Sequence, residues 1–274
     1  TAPFEPEARL DLEELRRLVA TAVRMLDNTI DISKFAVEAQ RVEAVSKRRI
    51  GVGVTGVADA LIMLGERYGS ERAAELLESW MRTVQNAAYK ASAELARERG
   101  PFECYDSACH LQQPAVQALD PEVREAIARH GLRNALLTTI APTGTTSMYA
   151  GNVSSGIEPV FSTSFRRKIT NADGTRGEEE VVDYAVSVYR EKFGEDAPFT
   201  DAFVTAMTLA PQDHVRMQAA AQRWVDSAIS KTVNCPEDIS FEDFEGVYLA
   251  AFDAGCKGCT TYRPNAVTGS VLSA

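Results

Sequence analysis

Residues 135–159 read ALLTTIAPTGTTSMYAGNVSSGIEP, and this stretch decides the prediction of the fold. The apolar run at 135–140 is typical of a short buried strand. It leads into a turn of small and hydroxyl-bearing residues, which then continues into a helix. A buried strand that passes through a tight turn into a helix is the repeating unit of α/β proteins. The stretch therefore predicts an α/β fold.

The rest of the chain alternates helices with short extended segments. Apolar periodicity and capping residues predict helices at 10–32, 70–99, 121–130, 178–193, 215–228 and 241–254. Further extended segments are predicted at 165–175 (running into a turn), 229–236 and 256–263, and a short strand or turn followed by an apolar helix at 50–65. Short strands of apolar or small residues between helices favour a mainly parallel sheet. No repeat or clear linker divides residues 1–274, so a single domain is predicted.

The composition predicts a soluble globular protein with a sizeable core. The 274 residues are 45% hydrophobic and 25% charged, which is ordinary for such proteins. No apolar run approaches the roughly 20 residues of a membrane span. The opening TAPFEPEARLDLEEL lacks the pattern of a signal peptide, so a cytoplasmic location is expected. The formal net charge of −10 argues against duplex nucleic acid as a partner, although a local cluster of donors can still hold a small anion.

Cysteines and histidines are the candidates for metal or redox chemistry. The odd number of cysteines in a large chain indicates reduced thiols at Cys104, Cys109, Cys235, Cys256 and Cys259. Cys256 and Cys259 could join Cys104 and Cys109 in a zinc site. However, GCKGCTTY is typical of a strand, in which residues three apart point to opposite faces, so neither a zinc site nor an essential redox pair is expected. The histidines His110, His130 and His214 are expected to be solvated.

Gly51, Gly53 and Gly56 spell G-x-G-x-x-G, the pattern of a dinucleotide-binding turn. That turn needs a hydrophobic strand before its first glycine, whereas SKRR leaves only Ile50 here. We prefer the alternative that the glycines let another segment approach the backbone closely. The basic run at 166–168 is interpreted as a solvated strand edge, with a ligand-binding role as the alternative.

The residues from Thr143 to Ser147 stand where the strand turns into the helix. The first N–H groups of a helix lack partners within it and carry the positive end of its dipole. The threonine hydroxyls add donors, and Gly144 leaves room for an anion beside the backbone, so the turn is suited to bind a phosphate. It does not match the Walker pattern, so ATP hydrolysis is not implied. Hydroxyl residues are also the usual helix caps, and on chemistry alone a cap without a ligand is an equally good interpretation.

Four segments resemble, in the same order, the large catalytic subunit of ribonucleotide reductases: RRIGVGVTGVADALIMLG, APTGTTSMYAGNVSSGIEPVF, DSAISKTVNCP and GCKGCTTYRPN. The resemblance extends from about Leu12 to Gly269. It implies the C-terminal part of a ten-stranded α/β barrel, with RRIGVGVTG, ALLTTIAP, ISKTVN and CKGCTTYR as barrel strands. It also implies that one turn binds the diphosphate or triphosphate of the substrate ribonucleotide, namely Pro142, Thr143, Gly144, Thr145 and Thr146.

Among these reductases the chain is most similar to the adenosylcobalamin-dependent class II enzymes. Oxygen-dependent members carry two adjacent tyrosines in the last barrel strand, which relay a radical from a second subunit, and this chain has Thr260 and Thr261 there. An enzyme that makes its radical beside the active site, by breaking a cobalt–carbon bond, needs no such relay. The resemblance therefore implies adenosylcobalamin as the cofactor and a thioredoxin-type reductant. The implied reaction is the reduction of ribonucleotides to 2′-deoxyribonucleotides for DNA synthesis.

The cysteines that perform the radical chemistry of the family are not found in this sequence. The family places its thiyl-forming cysteine in an N-x-C-x-E pattern and its two reducing cysteines on earlier strands, and none of the five cysteines here matches. We therefore expect the C-terminal part of the catalytic barrel, from a truncated or split enzyme, with no catalytic residue of its own. It would need the N-terminal portion of the reductase, on the same or a separate polypeptide. The alternative is a non-catalytic nucleotide-binding partner or regulatory protein that keeps the family fold.

Overall fold

Two long helices, α1 (Leu12–Ile32) and α4 (Glu71–Arg99), pack along each other in the computed structural model of the chain. The structure describes residues 1–170 and 175–264. Each of the two helices begins at a side-chain cap: Asp11 and Ser70 both accept the backbone N–H three residues further on, at 3.0 Å. Gly100, at φ +83°, ends α4. The predicted helices at 10–32 and 70–99 are confirmed.

The remaining helices of the described residues are shorter and surround this pair. They are α2 (Glu38–Lys47), α3 (Val57–Met63), α5 (Ser107–Leu111), α6 (Pro114–Gln117), α7 (Pro121–His130), α8 (Gly144–Tyr149), α9 (Tyr184–Phe193), α10 (Pro211–Gln222) and α11 (Phe241–Asp253). Helix α4 also packs against α7 and α10. Its inward face is mainly apolar and includes Leu77, Trp80, Val84, Ala88 and Leu95, and burying one large apolar side chain stabilises the fold by roughly 1.5–3 kcal/mol.

Four extended segments lie side by side in chain order, and all of them run parallel. Val52 bridges to Thr138, and Ile140 bridges to Ile229. The segment of Ile229 continues into strand β3 (Thr232–Asn234), which pairs with the last strand in parallel register. These are the four segments that the family resemblance implied as barrel strands, and the predicted parallel direction is confirmed for them. The segment at 135–140 forms isolated bridges rather than a continuous ladder.

The other strands form a separate antiparallel hairpin. Strands β1 (Ser164–Thr170) and β2 (Arg176–Val182) pair so that residues 166–168 stand opposite residues 178–180. The last strand, β4 (Thr260–Tyr262), pairs only with β3 among the described residues. Residues 171–174, part of the predicted turn, and residues 265–269, the end of the family resemblance, lie outside the described residues.

Several predicted boundaries are wrong. Residues 178–182 belong to β2 and not to a helix, because they pair with β1 in an antiparallel register. Helix α9 begins only after Asp183, which caps it by accepting the N–H groups of Ala185 and Val186 at 3.0 and 3.3 Å. Helix α10 spans Pro211–Gln222 instead of the predicted 215–228, with Pro211 in its first turn. The predicted strand at 256–263 is reduced to β4.

No helix within 1–170 or 175–264 combines the length and the apolar character that crossing a bilayer requires.

Candidate functional site

The hydroxyl turn, residues 142–146, connects the parallel segment that ends at Ile140 to α8. Thr143 adopts a left-handed conformation, with φ 49° and ψ 21°, which is rare for a β-branched residue. The side chains of Pro142, Thr145 and Thr146 are exposed, and Gly144 is exposed with open space where a Cβ would be. The turn is therefore an accessible surface beside the end of a buried strand.

Several donors of the hydroxyl turn have no partner in the described residues. The backbone N–H groups of Gly144, Thr145 and Thr146 open α8, where no intrahelical acceptor exists. None of them donates to another backbone or side-chain acceptor within 1–170 and 175–264, and the hydroxyls of Thr145 and Thr146 make no hydrogen bond there either. Helix α8 has only six residues, so its dipole adds little and the local donors are what an anion would meet.

The hydroxyl of Thr143, in contrast, is used inside the protein. Its Oγ1 accepts the Gly156 N–H at 2.7 Å and lies 3.2 Å from Thr55 Oγ1. Ser147, at the next turn of α8, is buried and lies 3.0 Å from the hydroxyl of Ser155. These contacts join the hydroxyl turn to the segment at 154–158, which we call the serine loop.

The first end of the serine loop is held by the start of α3. Ser154 O accepts from Gly56 N and from Thr55 Oγ1, both at 2.7 Å. Ser154 N donates to Asp59 Oδ2 at 2.6 Å, and Ser154 Oγ accepts from Ala58 N at 3.2 Å. Every polar group of this serine is therefore bonded to residues of one short segment.

The other end of the serine loop is held by a buried cation. Glu158 Oε1 accepts the Thr232 N–H of β3 at 2.6 Å, and Lys231 Nζ donates to Glu158 Oε2 at 2.8 Å. Lys231 also donates to Thr232 O at 2.8 Å and to His214 Nδ1 at 2.9 Å. All three ammonium protons thus have acceptors, while Lys231 is only 2% exposed.

His214 does not fit the prediction of a solvated histidine. It is fully buried in the first turn of α10. Burial, and after it the charge of Lys231, lowers the pKa of His214 to about 3, so the ring is neutral at physiological pH. Burial also lowers the pKa of Lys231, and Glu158 opposes that effect. His110 is half-buried, with its ring centroid 5.3 Å from that of Phe102.

A pair of buried carboxyl groups lies on the α3 side of the serine loop. Asp59 Oδ1 and Asp183 Oδ1 both accept the N–H of Ala185, at 3.1 and 3.0 Å. Both residues are less than 5% exposed. Burial, and then the nearby charge of Asp59, raises the pKa of Asp183 to about 7. Asp183 therefore changes its protonation near neutral pH.

Gly51, Gly53 and Gly56 allow close packing. This is the interpretation that was preferred over a dinucleotide-binding turn. A Cβ on Gly51 would lie 2.5 Å from Thr139 Cγ2, and one on Gly53 would lie 2.3 Å from Thr139 O. Gly56, with φ +77°, occupies the N-cap position of α3. The first two glycines let the parallel segments approach each other, and the third lets the chain turn into α3.

The cysteines need one correction. All five are free thiols. Strand alternation does not separate Cys256 from Cys259 as predicted, because both residues precede β4 and both pack against the small apolar cluster beside α11. Within 1–170 and 175–264 there is no group of three or more histidine, cysteine or carboxylate side chains placed to hold a metal ion.

Thr55, Asp59, Glu158 and Lys231 were not identified as site residues from the sequence. A signal was available for Lys231, which is a charged residue inside a segment predicted to be an extended barrel strand. The other three occur in ordinary contexts, and only their convergence on the serine loop distinguishes them.

Comparison with known proteins shows that the chain is similar to ribonucleotide reductases. The model of the ribonucleotide reductase barrel domain matches residues 2–262. A vitamin B12-dependent ribonucleoside-diphosphate reductase of Mycobacterium tuberculosis is 37% identical over 97% of this chain and 38% of its own length. The same enzyme from Thermoplasma acidophilum is 38% identical over 97% of this chain and 35% of its own length. A ribonucleoside-diphosphate reductase large subunit of Arabidopsis thaliana is 33% identical over 60% of the chain. The chain thus spans little more than a third of the length of the B12-dependent relatives.

Proposed function

Because the chain belongs to the ribonucleotide reductase barrel-domain family, we propose that it is part of a class II ribonucleotide reductase. In this proposal it forms the C-terminal part of the ten-stranded catalytic barrel, as a single incomplete domain over residues 1–274. The complete enzyme reduces ribonucleotides to 2′-deoxyribonucleotides by a thiyl-radical mechanism. The parallel order of four segments along the chain supports this position in a barrel.

The hydroxyl turn binds the phosphates of the substrate in this proposal. The observation that carries it is the set of open donors: three backbone amides and two hydroxyls at 144–146 without acceptors in the described residues. Pro142 and Thr143 shape the turn, while Gly144, Thr145 and Thr146 meet the anion. A diphosphate is the preferred substrate form, since the relatives from M. tuberculosis and T. acidophilum are named ribonucleoside-diphosphate reductases.

Adenosylcobalamin is assigned to the complete enzyme, and no residue of this chain is assigned to it. When bound, it supplies the radical that begins the reaction. The residues that bear on this choice are Thr260 and Thr261, which replace the tyrosine pair of oxygen-dependent members. Thr261 Oγ1 lies 2.9 Å from Tyr248 OH, so its side chain has a polar partner without a second tyrosine on the strand. The partners of the chain are the N-terminal portion of the reductase and a thioredoxin-type reductant.

The experiment uses the complete reductase with substitutions in the hydroxyl turn. Thr145→Val keeps the shape of the side chain and removes one hydroxyl, so nucleotide affinity should fall about ten- to hundredfold, as for a lost hydrogen bond to a charged group. Gly144→Val should cost more, because a branched side chain would fill the space beside the open amides. Thr83→Val, at a half-buried position of α4, is the matched control. Unchanged nucleotide affinity in both turn variants would leave the turn as a helix cap only.

A non-catalytic nucleotide-binding protein is the second candidate, because no N-x-C-x-E pattern accompanies the turn in these residues. An activity assay separates the two candidates. The 274 residues alone, with adenosylcobalamin, a dithiol and each ribonucleotide, should form no deoxyribonucleotide. Addition of the N-terminal portion of the reductase should restore turnover. If it does not, while nucleotide still binds, the regulatory alternative is favoured.

A further inference from the structure

Thr55 lies inside the G-x-G-x-x-G segment, and its hydroxyl meets three groups from two other parts of the chain. Thr55 Oγ1 donates to Ser154 O at 2.7 Å. Thr143 Oγ1 lies 3.2 Å away, and the Gly156 N–H donates to Thr55 Oγ1 at 3.3 Å. One hydroxyl therefore connects the entry to α3, the serine loop and the hydroxyl turn.

The direction of these hydrogen bonds follows from counting protons. A hydroxyl has one proton to donate and two lone pairs. The proton of Thr55 goes to Ser154 O, at the shorter distance, so Thr143 is the donor in its contact with Thr55. Thr143 also accepts the Gly156 N–H at 2.7 Å. Its hydroxyl is thus occupied as both donor and acceptor.

Thr143 needs such support because of its backbone. A β-branched residue in the left-handed region is strained, and conformations of this kind persist where the surroundings over-determine them. The contacts from Thr55 and Gly156 both act on the side chain of Thr143. The direction in which the chain leaves Thr143 sets the position of the next three amides, at 144–146.

We propose that Thr55 is a positioning residue for phosphate binding. Its hydroxyl keeps Thr143 in the left-handed conformation that leaves the amides at 144–146 open to an anion. The proposal rests on the function proposed above, and it deepens it: Thr143 contributes no hydroxyl to the phosphate and acts as the link between Thr55 and the ligand-binding amides. The G-x-G-x-x-G segment thereby serves a phosphate site without contacting the phosphate.

The loss of the Thr55 hydroxyl should loosen the turn without separating the segments. Gly56 N still donates to Ser154 O, and Asp59 still accepts from Ser154 N. The effect should therefore appear in the affinity for phosphate-bearing ligands and leave kcat nearly unchanged. A role in general stability would not produce this difference between KM and kcat.

The experiment compares Thr55→Val and Thr55→Ser in the complete reductase. The measured quantities are KM for a ribonucleoside diphosphate, kcat, and Ki for inorganic pyrophosphate. For Thr55→Val we expect KM and Ki to rise together, about threefold to tenfold, as for one neutral hydrogen bond, with kcat within twofold. Thr55→Ser restores the hydroxyl and should return both values to within twofold of the unsubstituted enzyme. Thr83→Val, whose hydroxyl bonds to Ser79 O on α4, should change neither.

Each other outcome overturns the proposal. If Thr55→Ser is as damaging as Thr55→Val, or if Ki for pyrophosphate stays constant in Thr55→Val, the hydroxyl does not position the turn. If Thr145→Val weakens pyrophosphate binding while Thr55→Val does not, the phosphate site stands and only the role of Thr55 falls. If neither variant has an effect, the phosphate site falls as well. Should Thr55→Val fail to fold, Thr55→Ala removes the same hydroxyl without placing a methyl group in its position, with the same expectations.

Discussion

The two ends of the serine loop are held by different kinds of contact: several hydrogen bonds at one end, and one buried ion pair with a single hydrogen bond at the other. At Ser154, backbone amides, a hydroxyl and the carboxylate of Asp59 share the task, so several bonds of ordinary strength act in parallel. At Glu158, one buried ammonium from Lys231 and one backbone N–H make the contact. The difference indicates that the first end tolerates the loss of any single bond, whereas the second depends on one charge.

The two ends also respond to pH in opposite directions. Asp183, beside the Ser154 end, has a raised pKa of about 7, so the folded protein holds a proton that the unfolded chain has released. His214, beside the Glu158 end, has a lowered pKa of about 3. Between that value and its unfolded pKa, the ring is neutral in the folded protein and protonated in the unfolded chain. These two contributions to stability cancel in part between pH 5 and pH 7. A pH profile of the unsubstituted protein would conceal both, and the variants below separate them.

The largest effect is expected from removing the buried cation. Lys231→Met leaves Glu158 and Thr232 O without their charged donor, and breaking a buried ion pair costs about 3–5 kcal/mol. We expect about 3 kcal/mol, because the Glu158 side chain is 24% exposed and regains some water. Denaturant unfolding of the 274-residue chain measures this. Lys90→Met, which removes a half-exposed pair with Glu122, is the control and should cost less than about 1 kcal/mol. Equal costs for the two variants would show that the buried contact has no special weight.

The second effect concerns the carboxyl pair at the Ser154 end. The raised pKa of Asp183 contributes stability below pH 4, and this stability is lost as pH rises toward 7. Relative to Asp183→Asn, the free energy of unfolding of the unsubstituted protein should fall by about 2 kcal/mol between pH 5 and pH 7. Asn retains the oxygen that caps α9, so the cap itself is preserved. A difference between the two proteins that is constant with pH would contradict the raised pKa.

The third effect concerns His214, whose contribution to the free energy of unfolding changes with pH by a similar amount and with the opposite sign. Because the pKa of His214 is lowered to about 3, its contribution to stability is present above the unfolded value of about 6.5 and is lost as pH falls. Relative to His214→Gln, the unsubstituted protein should gain slightly less than about 2 kcal/mol between pH 5 and pH 7. The amide oxygen of Gln can still accept from Lys231. A gain confined to pH values above 7 would contradict a neutral buried ring.

Prediction from the sequence succeeded where the structure depends on neighbouring residues, and it failed where distant residues meet. The helices that begin after Asp11 and Ser70, the parallel direction of the extended segments and the close approach at Gly53 were all predicted, because local sequence patterns encode them. The burial of His214 was missed because the start of α10 was placed after it, and a residue outside a helix has no predicted inward face. Residues 178–182 were predicted to be helical because their pairing with β1 depends on partners 10 to 18 residues away in the chain. The carboxyl pair and the Lys231 cluster join residues far apart in the chain, which no local pattern encodes.

The smallest effect tests whether the Ser154 end transmits strain to the site. Gly56 and Gly65 flank α3, and both have a positive φ, at +77° and +74°. An alanine at either position pays the left-handed penalty, about 1 kcal/mol. A Cβ on Gly65 meets nothing within 4 Å, whereas one on Gly56 would lie 3.3 Å from Val153 Cβ, next to the serine loop. Gly56→Ala should therefore cost slightly more stability than Gly65→Ala.

In the complete reductase, Gly56→Ala alone should also weaken pyrophosphate binding, about twofold. Its backbone N–H holds Ser154 O, so a small shift there moves the loop that carries Gly156, whose N–H supports Thr143. If both alanine variants bind pyrophosphate as the unsubstituted enzyme does, the Ser154 end holds the fold together without setting the geometry of the turn.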